Sequence, residues 1–557
     1  MAENNQNGLP RLKSDLPDHM DVDYAGARGL MYGCGYTDQQ LDMPHIGIIN
    51  TWSDCNPGHI HLKELEAAAE RGIREAGGLP FHFNGVSVCD GIVKPAYILP
   101  SRDLLVNEIE VMAEANMMDA LVMIGTCDKV IPALLMAAGR LNLPTVIVTG
   151  GYMETASCHG HYVDYIDVGS SITRVLRGEM SQEDYQELLH SIAPGPGACG
   201  MMGTANTMSM ICETIGMSLP GNSCLPAVSP ELRKLAYQAG KRVMDLWKEQ
   251  ITPRQIIIPA SITNAIKVCM AMGGSTNTII HVPAVATESE LDMDCSAIYA
   301  AASEEIPLLV GIRPNGPHCM EDFRRAGGLG AVLHEIREHL DLTCAGVSGR
   351  TLGETIRDCA ILDSSVIHTL AQPLSRDGGM ALCRGNLVPE GAFIKLSAVP
   401  EALRNTFRGR ARVFTSVHEA TDALRNGDIH AGDAVLIIYQ GVKAGPETAY
   451  NFTTELKGSP LKESVCVITD GRLSGAASGA CFSYASPEAA LRGPLCAVRD
   501  GDIITYDLPN RRLEVDLTPQ ELECRMAEAQ LHLTPKKGYL KVYQHCVGSV
   551  LKGAVLT

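Results

Sequence analysis

The sequence predicts an α/β protein: an N-terminal domain on a parallel sheet, followed by a C-terminal β-rich, barrel-like domain. Three observations predict it. Short apolar runs alternate with helical stretches from about residue 45 to 150, the βαβα rhythm of a parallel sheet covered on both faces. Near residue 365 the texture changes to shorter β-rich pieces rich in Gly and Pro. The length, 557 residues, has room for two or three domains. The expected division is a flexible lead-in over 1–24, an α/β domain over 25–364 and a β-rich domain over 365–557.

The elements follow in order. HIGIINTW (45–52) reads as a strand, and HLKELEAAAERGIREAG (61–77) as a helix capped by Gly77-Gly78. LPFHFNGVSV (79–88) is strand-like and LLVNEIEVMAEANM (104–117) helical. DALVMIG (119–125) is a buried strand, PALLMAAGRLN (132–142) a helix and PTVIVTG (144–150) a strand. In the second half, ALCRGNLVPEGAFIKLSAV, ARVFTSVHEATDAL and DAVLIIYQG read as β-rich pieces. DGDIITYDLPNRRLEVDL (500–517) reads as a hairpin turning at Pro509-Asn510. No internal repeat or low-complexity segment interrupts the chain.

Composition excludes several classes. With 45% hydrophobic and 20% charged residues, the chain is not mainly disordered. A formal charge of −18 argues against nucleic-acid and anionic-membrane partners. No stretch approaches the roughly 20 apolar residues of a membrane helix, and the polar start lacks a secretory h-region. A cytoplasmic location is expected. Nineteen cysteines with no CxxC pair argue against ribbon zinc sites, and the expected location against disulfides. Most of them, Cys269, Cys466 and Cys496 among them, read as small core residues.

Ligands of open parallel sheets sit in the loops after the strands' carboxyl ends. Four such loops stand out. NTWSDCNPGHIHL carries Asp54, Cys55, His59 and His61; SVCDGIVKP carries Cys89 and Asp90; GTCDKVIP carries Cys127, Asp128 and Lys129; GPGACGMMGTANTM carries Cys199 between glycines. Thiolates from separate loops can converge on a soft metal or an iron–sulfur cluster. Adjacent carboxylates offer hard oxygens to a Mg-type ion. His59 and His61 could be ligands, but packing at a strand end or a helix start is the preferred reading for both. In the second half, ITDGRLSG presents Asp470, Arg472 and Ser474, either as a tight turn or as a loop with an activated hydroxyl. There is no GxSxG elbow and no P-loop signature. A nucleotide-dependent enzyme without iron would rest on the sheet pattern and glycines alone.

Together, GTCDKVIPALLMAAGRLNLP, GACGMMGTANTMSMICETIGMSLPGNS, MAMGGSTNT, RGNLVPEGAFIK, ITDGRLSGAASG and KGYLKVYQHCVGSVLKGAV resemble the dihydroxy-acid dehydratase family, which includes the sugar-acid (aldonate) dehydratases and phosphogluconate dehydratase. The resemblance runs from about residue 25 to the C-terminus. It implies a homodimer or dimer of dimers, an iron–sulfur cluster beside Mg²⁺, and removal of water from a small-molecule 2,3-dihydroxy acid to give a 2-keto acid. By position, it implies cluster ligation by Cys127 and Cys199 and Mg²⁺ binding by Asp90 and Asp128. It also implies carbamylation of Lys129 and proton abstraction from C2 by Ser474.

Two departures bear on these expectations. Members with a [2Fe–2S] cluster carry a Pro-Cys in the first loop, where this chain has Gly58. The Pro-Gly-His form resembles the branch with an oxygen-sensitive [4Fe–4S] cluster, so both nuclearities stay open. Cys89 is preferred as the third cluster ligand, with Cys55 as its rival. Over 441–455 the family's Gly-rich segment with a Mg-binding Glu is replaced by GVKAGPETAYNFTTE. Glu447 is the expected substitute and Glu455 the weaker one. The leading expectation is a dihydroxy-acid dehydratase of branched-chain amino-acid biosynthesis. The alternatives are an aldonate dehydratase, acting on arabinonate, xylonate or gluconate, and a non-catalytic iron–sulfur member of the family.

Overall fold

The computed structural model describes residues 9–14, 22–446, 448–473, 479–533 and 535–557. Ser474 and Glu447 therefore lie outside the described residues.

Four strands, β1 (His45–Asn50), β2 (Leu79–Asn84), β3 (Ala120–Gly125) and β4 (Thr145–Thr149), form a sheet of order β2-β1-β3-β4. All three pairings are parallel. β1, β3 and β4 are buried along their whole length, as strands covered on both faces should be. The helix Leu62–Glu75 turns Leu62, Leu65, Ala68, Ala69 and Ile73 to the core. The helix Pro100–Ala115 starts earlier than its apolar pattern suggests, because Pro100 fits the first helical turn. β1 stops short of Trp52, whose N–H turns back to the Asn50 side chain at 3.0 Å.

A hairpin of β5 (Ala156–Cys158) and β6 (His161–Val163) follows. Beyond it the first half becomes helical, a development that its strand–helix rhythm did not predict. The segment containing TANTM, expected as part of a loop, forms the helix Thr204–Ile215. The helices Pro259–Met272 and Thr278–Glu288 are buried over most of their length.

The second half holds β7 (Ala381–Cys383), β8 (Gly391–Ile394), β9 (Thr406–Phe414), β10 (Asp433–Ile437), β11 (Cys466–Thr469), β12 (Ala480–Ser486), β13 (Ile503–Asp507) and β14 (Arg512–Val515). They form one eight-stranded sheet of order β14-β13-β9-β10-β11-β12-β8-β7. Its two edges meet: Arg384 donates to the Arg511 carbonyl at 2.9 Å and Leu513 donates to the Arg384 carbonyl at 3.0 Å. The sheet is thus a nearly closed barrel. β13 and β14 form the expected antiparallel hairpin. The piece ARVFTSVHEATDAL is only half strand, since Ser416 caps a helix over Val417–Asn426.

The chain end returns to the first half. Tyr543, Val547, Val550, Ala554 and Val555 belong to the N-terminal hydrophobic core. Buried Arg102 donates to the carbonyls of Gly553 and Ala554 at 2.8 and 2.9 Å. Among the described residues, no helix is long and apolar enough to cross a membrane.

Candidate active site

The carboxyl ends of β1, β2, β3 and β4 open toward one cavity of about 130 Å³. Its lining includes Gly58, Cys89, Asp90, Cys127, Asp128 and Cys199 from the first half, and Thr448, Tyr450 and Arg472 from the second.

The loop after β1 is shaped by His59, which is fully buried. Its Nδ1 lies 2.6 Å from the Thr51 carbonyl, and its Nε2 accepts the Cys127 N–H at 2.9 Å. That pairing fixes a neutral ring protonated on Nδ1, and burial pulls its pKa down to about 3. His59 is thus a brace between two loops, and His61, whose Nε2 donates to the Gly150 carbonyl at 2.7 Å, is another. Both match the packing reading of the sequence.

The Cys127 thiol donates to Asn56 Oδ1 at 3.2 Å and lies within hydrogen-bonding reach of Cys89. Cys199 arrives on a separate loop, pinned by Ala198 to the Gly151 carbonyl at 2.9 Å and by Gly197 to the Pro57 carbonyl at 3.1 Å. The Cys89 contact and burial hold the Cys127 thiol neutral. Burial, with Asp128 nearby, does the same for Cys199. Cys89 is shifted the other way, its contact with Cys127 pulling its pKa down. Cys55 is exposed and does not line the cavity. Asp54 is exposed as well.

Beside the thiols stands a carboxylate pair. Asp128 is pushed up to about 6 by burial and by Asp90. Lys129, which is 1% exposed, reaches Asp90 at 2.7 Å and Asp128 at 4.0 Å. Asp90 Oδ1 is buried with no hydrogen-bond partner among the described residues.

The donor set suits both a cluster and a cation. Three thiols from three loops share one cavity, and the wall facing Cys127 is a glycine: a Cβ on Gly58 would lie 2.4 Å from Cys127 Sγ. The hard oxygens of Asp90 and Asp128 lie alongside, one of them unpartnered, with an ammonium already held between them. The residues fit both groups.

The second half closes the cavity. Arg472 is buried, and its Nε and Nη2 have no partner among the described residues. Thr448 Oγ1 donates to the Arg472 carbonyl at 3.1 Å, and Thr276 Oγ1 donates to the Leu473 carbonyl at 2.8 Å. The chain entering Ser474 is therefore anchored from both halves. Tyr165 and Tyr450 stack with centroids 5.9 Å apart on the cavity wall. Nothing in the spacing of these two tyrosines marks them as site residues.

Asp470 shapes the turn, in line with the tight-turn reading of its loop: its carboxylate accepts the N–H groups of Tyr439, Gln440 and Ala489 at 3.1, 2.9 and 3.0 Å. Glu455 is engaged by Arg425 at 2.6 and 2.8 Å, so it is not free for a metal.

Comparisons with known proteins agree with this architecture. The family model described as dihydroxy-acid/6-phosphogluconate dehydratase N-terminal matches residues 43–355, and its C-terminal counterpart matches 365–554. A dihydroxy-acid dehydratase of Methanothermobacter thermautotrophicus is 41% identical over 96% of this chain and 98% of its own. One from Caldicellulosiruptor bescii is 40% identical over the same shares, and one from Dehalococcoides mccartyi is 41% identical, again over 96% and 98%. The chain belongs to the dihydroxy-acid/6-phosphogluconate dehydratase family.

Proposed function

We propose that this protein is a hydro-lyase converting a short, branched 2,3-dihydroxy carboxylic acid into the 2-keto acid. The observation that carries the substrate reading is the apolar part of the cavity wall. Ile98, Met153, Met201, Tyr165 and Tyr450 face the space left by thiols and carboxylates. The amide and threonine donors there are already engaged: Asn206 Nδ2 with the Cys199 and Met201 carbonyls, Asn277 Nδ2 with Thr204, Thr448 with the Arg472 carbonyl. An aliphatic branch fits such a wall. Each additional hydroxyl of an aldonate placed against Ile98, Met153 or Met201 would lose water without gaining a partner, at about 1–3 kcal/mol.

Cys89, Cys127 and Cys199 would hold the iron–sulfur cluster. Asp90, Asp128, Lys129 as its carbamate, and Glu447 would hold Mg²⁺. When bound, these groups supply Lewis acidity to the departing C3 hydroxyl and to the substrate carboxylate. The protein's own part is positioning and proton transfer. The Arg472 guanidinium, whose Nε and Nη2 have no partner among the described residues, anchors the carboxylate end of the substrate. Ser474, following the anchored Leu473, takes the C2 proton. Loss of the C3 hydroxyl as water leaves an enol, which takes a proton at C3 to give the keto acid. The working assembly is a homodimer or dimer of dimers, which sedimentation equilibrium of the holoprotein tests.

The test is keto-acid formation by anaerobically purified protein with Mg²⁺. 2,3-Dihydroxyisovalerate is compared with arabinonate, xylonate and gluconate. Turnover confined to the branched acid is expected. Turnover of aldonates in its place would overturn the substrate reading. An iron-loaded protein inert toward all four would favour a non-catalytic member of the family.

A further inference from the structure

Away from the cavity, the β5–β6 hairpin meets the helix Gln182–Ser191. The two-residue link is His159-Gly160, with φ of +49° and +79°. Two left-handed residues in a row make the tight hairpin turn that Asn-Gly or Gly-Gly usually forms. A histidine tolerates the first position at some cost. The turn brings the His159 ring beside the helix's acidic side chains. His159 Nε2 lies 3.5 Å from Glu187 Oε2 and 3.8 Å from Asp184 Oδ1. The Cys158 sulfur completes the group: ligand atoms of Cys158, His159 and Glu187 all lie within 4.8 Å of one another.

We propose that Cys158, His159 and Glu187, with Asp184 as a fourth donor, form a binding site for zinc. The chemistry of the donors selects the metal. Thiolate and imidazole suit a borderline-soft ion, whereas Mg²⁺ and Ca²⁺ prefer all-oxygen shells. The geometry suits it too. Tetrahedral zinc with bonds of about 2.0–2.3 Å spaces its ligand atoms about 3.3–3.7 Å apart. The two His159–carboxylate separations are already close to that, and the 4.8 Å limit leaves about 1 Å of closure among Cys158, His159 and Glu187, while Asp184, outside that group, swings in from its 3.8 Å contact with His159. The imidazole side chain of His159 is 58% exposed and that of Glu187 57%, so the ion has an entry path, while Cys158 is 8% exposed and backs the site. A surface His–carboxylate pair alone is common and weak. The adjoining thiol is what such a pair does not need. The bound ion would tie the hairpin to the helix, in the segment between β4 and the Cys199 loop.

The test uses anaerobically purified holoprotein, supplied with zinc and desalted. Zinc and iron per chain are measured together, and zinc K-edge absorption reads the ligands. About one zinc per chain is expected, with one sulfur and several N/O neighbours. Cys158→Ser should lose the sulfur shell with iron content unchanged. Glu187→Gln, on an exposed helix face, should weaken retention roughly tenfold or more without disturbing the fold. Wild type that retains no zinc overturns the proposal. So does a sulfur shell that persists in Cys158→Ser and disappears in Cys127→Ser, since that would place the zinc in the cavity.

Discussion

Gly58→Ala is the sharpest probe of the cavity. The new Cβ would lie 2.4 Å from Cys127 Sγ, 3.2 Å from Asn56 Oδ1 and 3.5 Å from the Gly197 carbonyl. Ordinary carbon–sulfur contact is about 3.5–4.0 Å, so the sulfur must retreat by more than about 1 Å. The Cys127 backbone cannot follow, because its N–H is held by His59 at 2.9 Å. The side chain must rotate, and rotation takes the sulfur away from its present partner Asn56. Overpacking of this kind costs about 1–3 kcal/mol, which a large core absorbs. A ligand set tolerates about 0.5 Å. The variant should therefore fold, yet lose most of its iron and sulfide. The assay is iron and sulfide per chain and visible absorbance after anaerobic reconstitution, with circular dichroism as the folding control. Cys55→Ser, at an exposed position, should keep wild-type iron. A Gly58→Ala protein with full iron content would refute the placement of Cys127 as a cluster ligand.

Three further outcomes follow. Arg472→Met should raise KM for the branched acid by roughly 100-fold, the equivalent of about 3 kcal/mol of charge-assisted hydrogen bonding; an unchanged KM in steady-state kinetics would remove Arg472 as the carboxylate anchor. Arg102→Met leaves Asp103 buried without its ion pair and the tail carbonyls without a donor, so stability should fall by about 3–5 kcal/mol. The segment after Gly538 should then become protease-sensitive, and a wild-type digestion pattern would contradict this. Glu488 is raised to about 8 from 4.5 by burial and by Asp470, so the folded state binds the extra proton between those values. Its contribution to stability is complete below 4.5 and is lost as pH rises through 8. Urea midpoints of wild type should decline from pH 5 to 8 more steeply than those of Glu488→Gln, and parallel profiles would exclude Glu488 as the source.

The four-stranded sheet was legible because its apolar runs are short, continuous and separated by striped helices. The helical part of the first half was not, and the helix Thr204–Ile215 shows why. It is buried nearly all round, so it has no polar face to give a period. Its hydroxyls are dry and satisfied locally: Thr207, Ser209 and Thr214 donate to the carbonyls of Gly203, Ala205 and Met210 at 2.8, 2.9 and 2.8 Å. To a reader of the sequence these residues look like loop polarity. The cysteine and carboxylate loops were legible because strand ends of a parallel sheet converge. The roles of Asp470 and Arg472 were hidden, since the partners of Asp470 come from two distant segments and Arg472 is recognisable only by the partners it lacks among the described residues.

The glycine at 58 and the cysteine at 89 are best understood together. The Cβ direction of residue 58 ends at the Cys127 sulfur, so a side chain there would point at that sulfur. In this chain that position is empty, and Cys89 approaches Cys127 from the end of β2 instead. The exchange has a consequence. Cys89 adjoins Asp90, whose carboxylate faces Lys129 at 2.7 Å. In the proposed assignment one short loop thus carries a soft sulfur donor for one group and a hard oxygen donor for the other. Movement of that loop would then disturb both, whereas movement of the first loop would disturb only the sulfur side. Cys89→Ser should therefore lower iron content and weaken Mg²⁺ dependence together. A variant that loses iron while keeping an unaltered Mg²⁺ affinity, measured by titration of the desalted protein, would show that the two donors act independently.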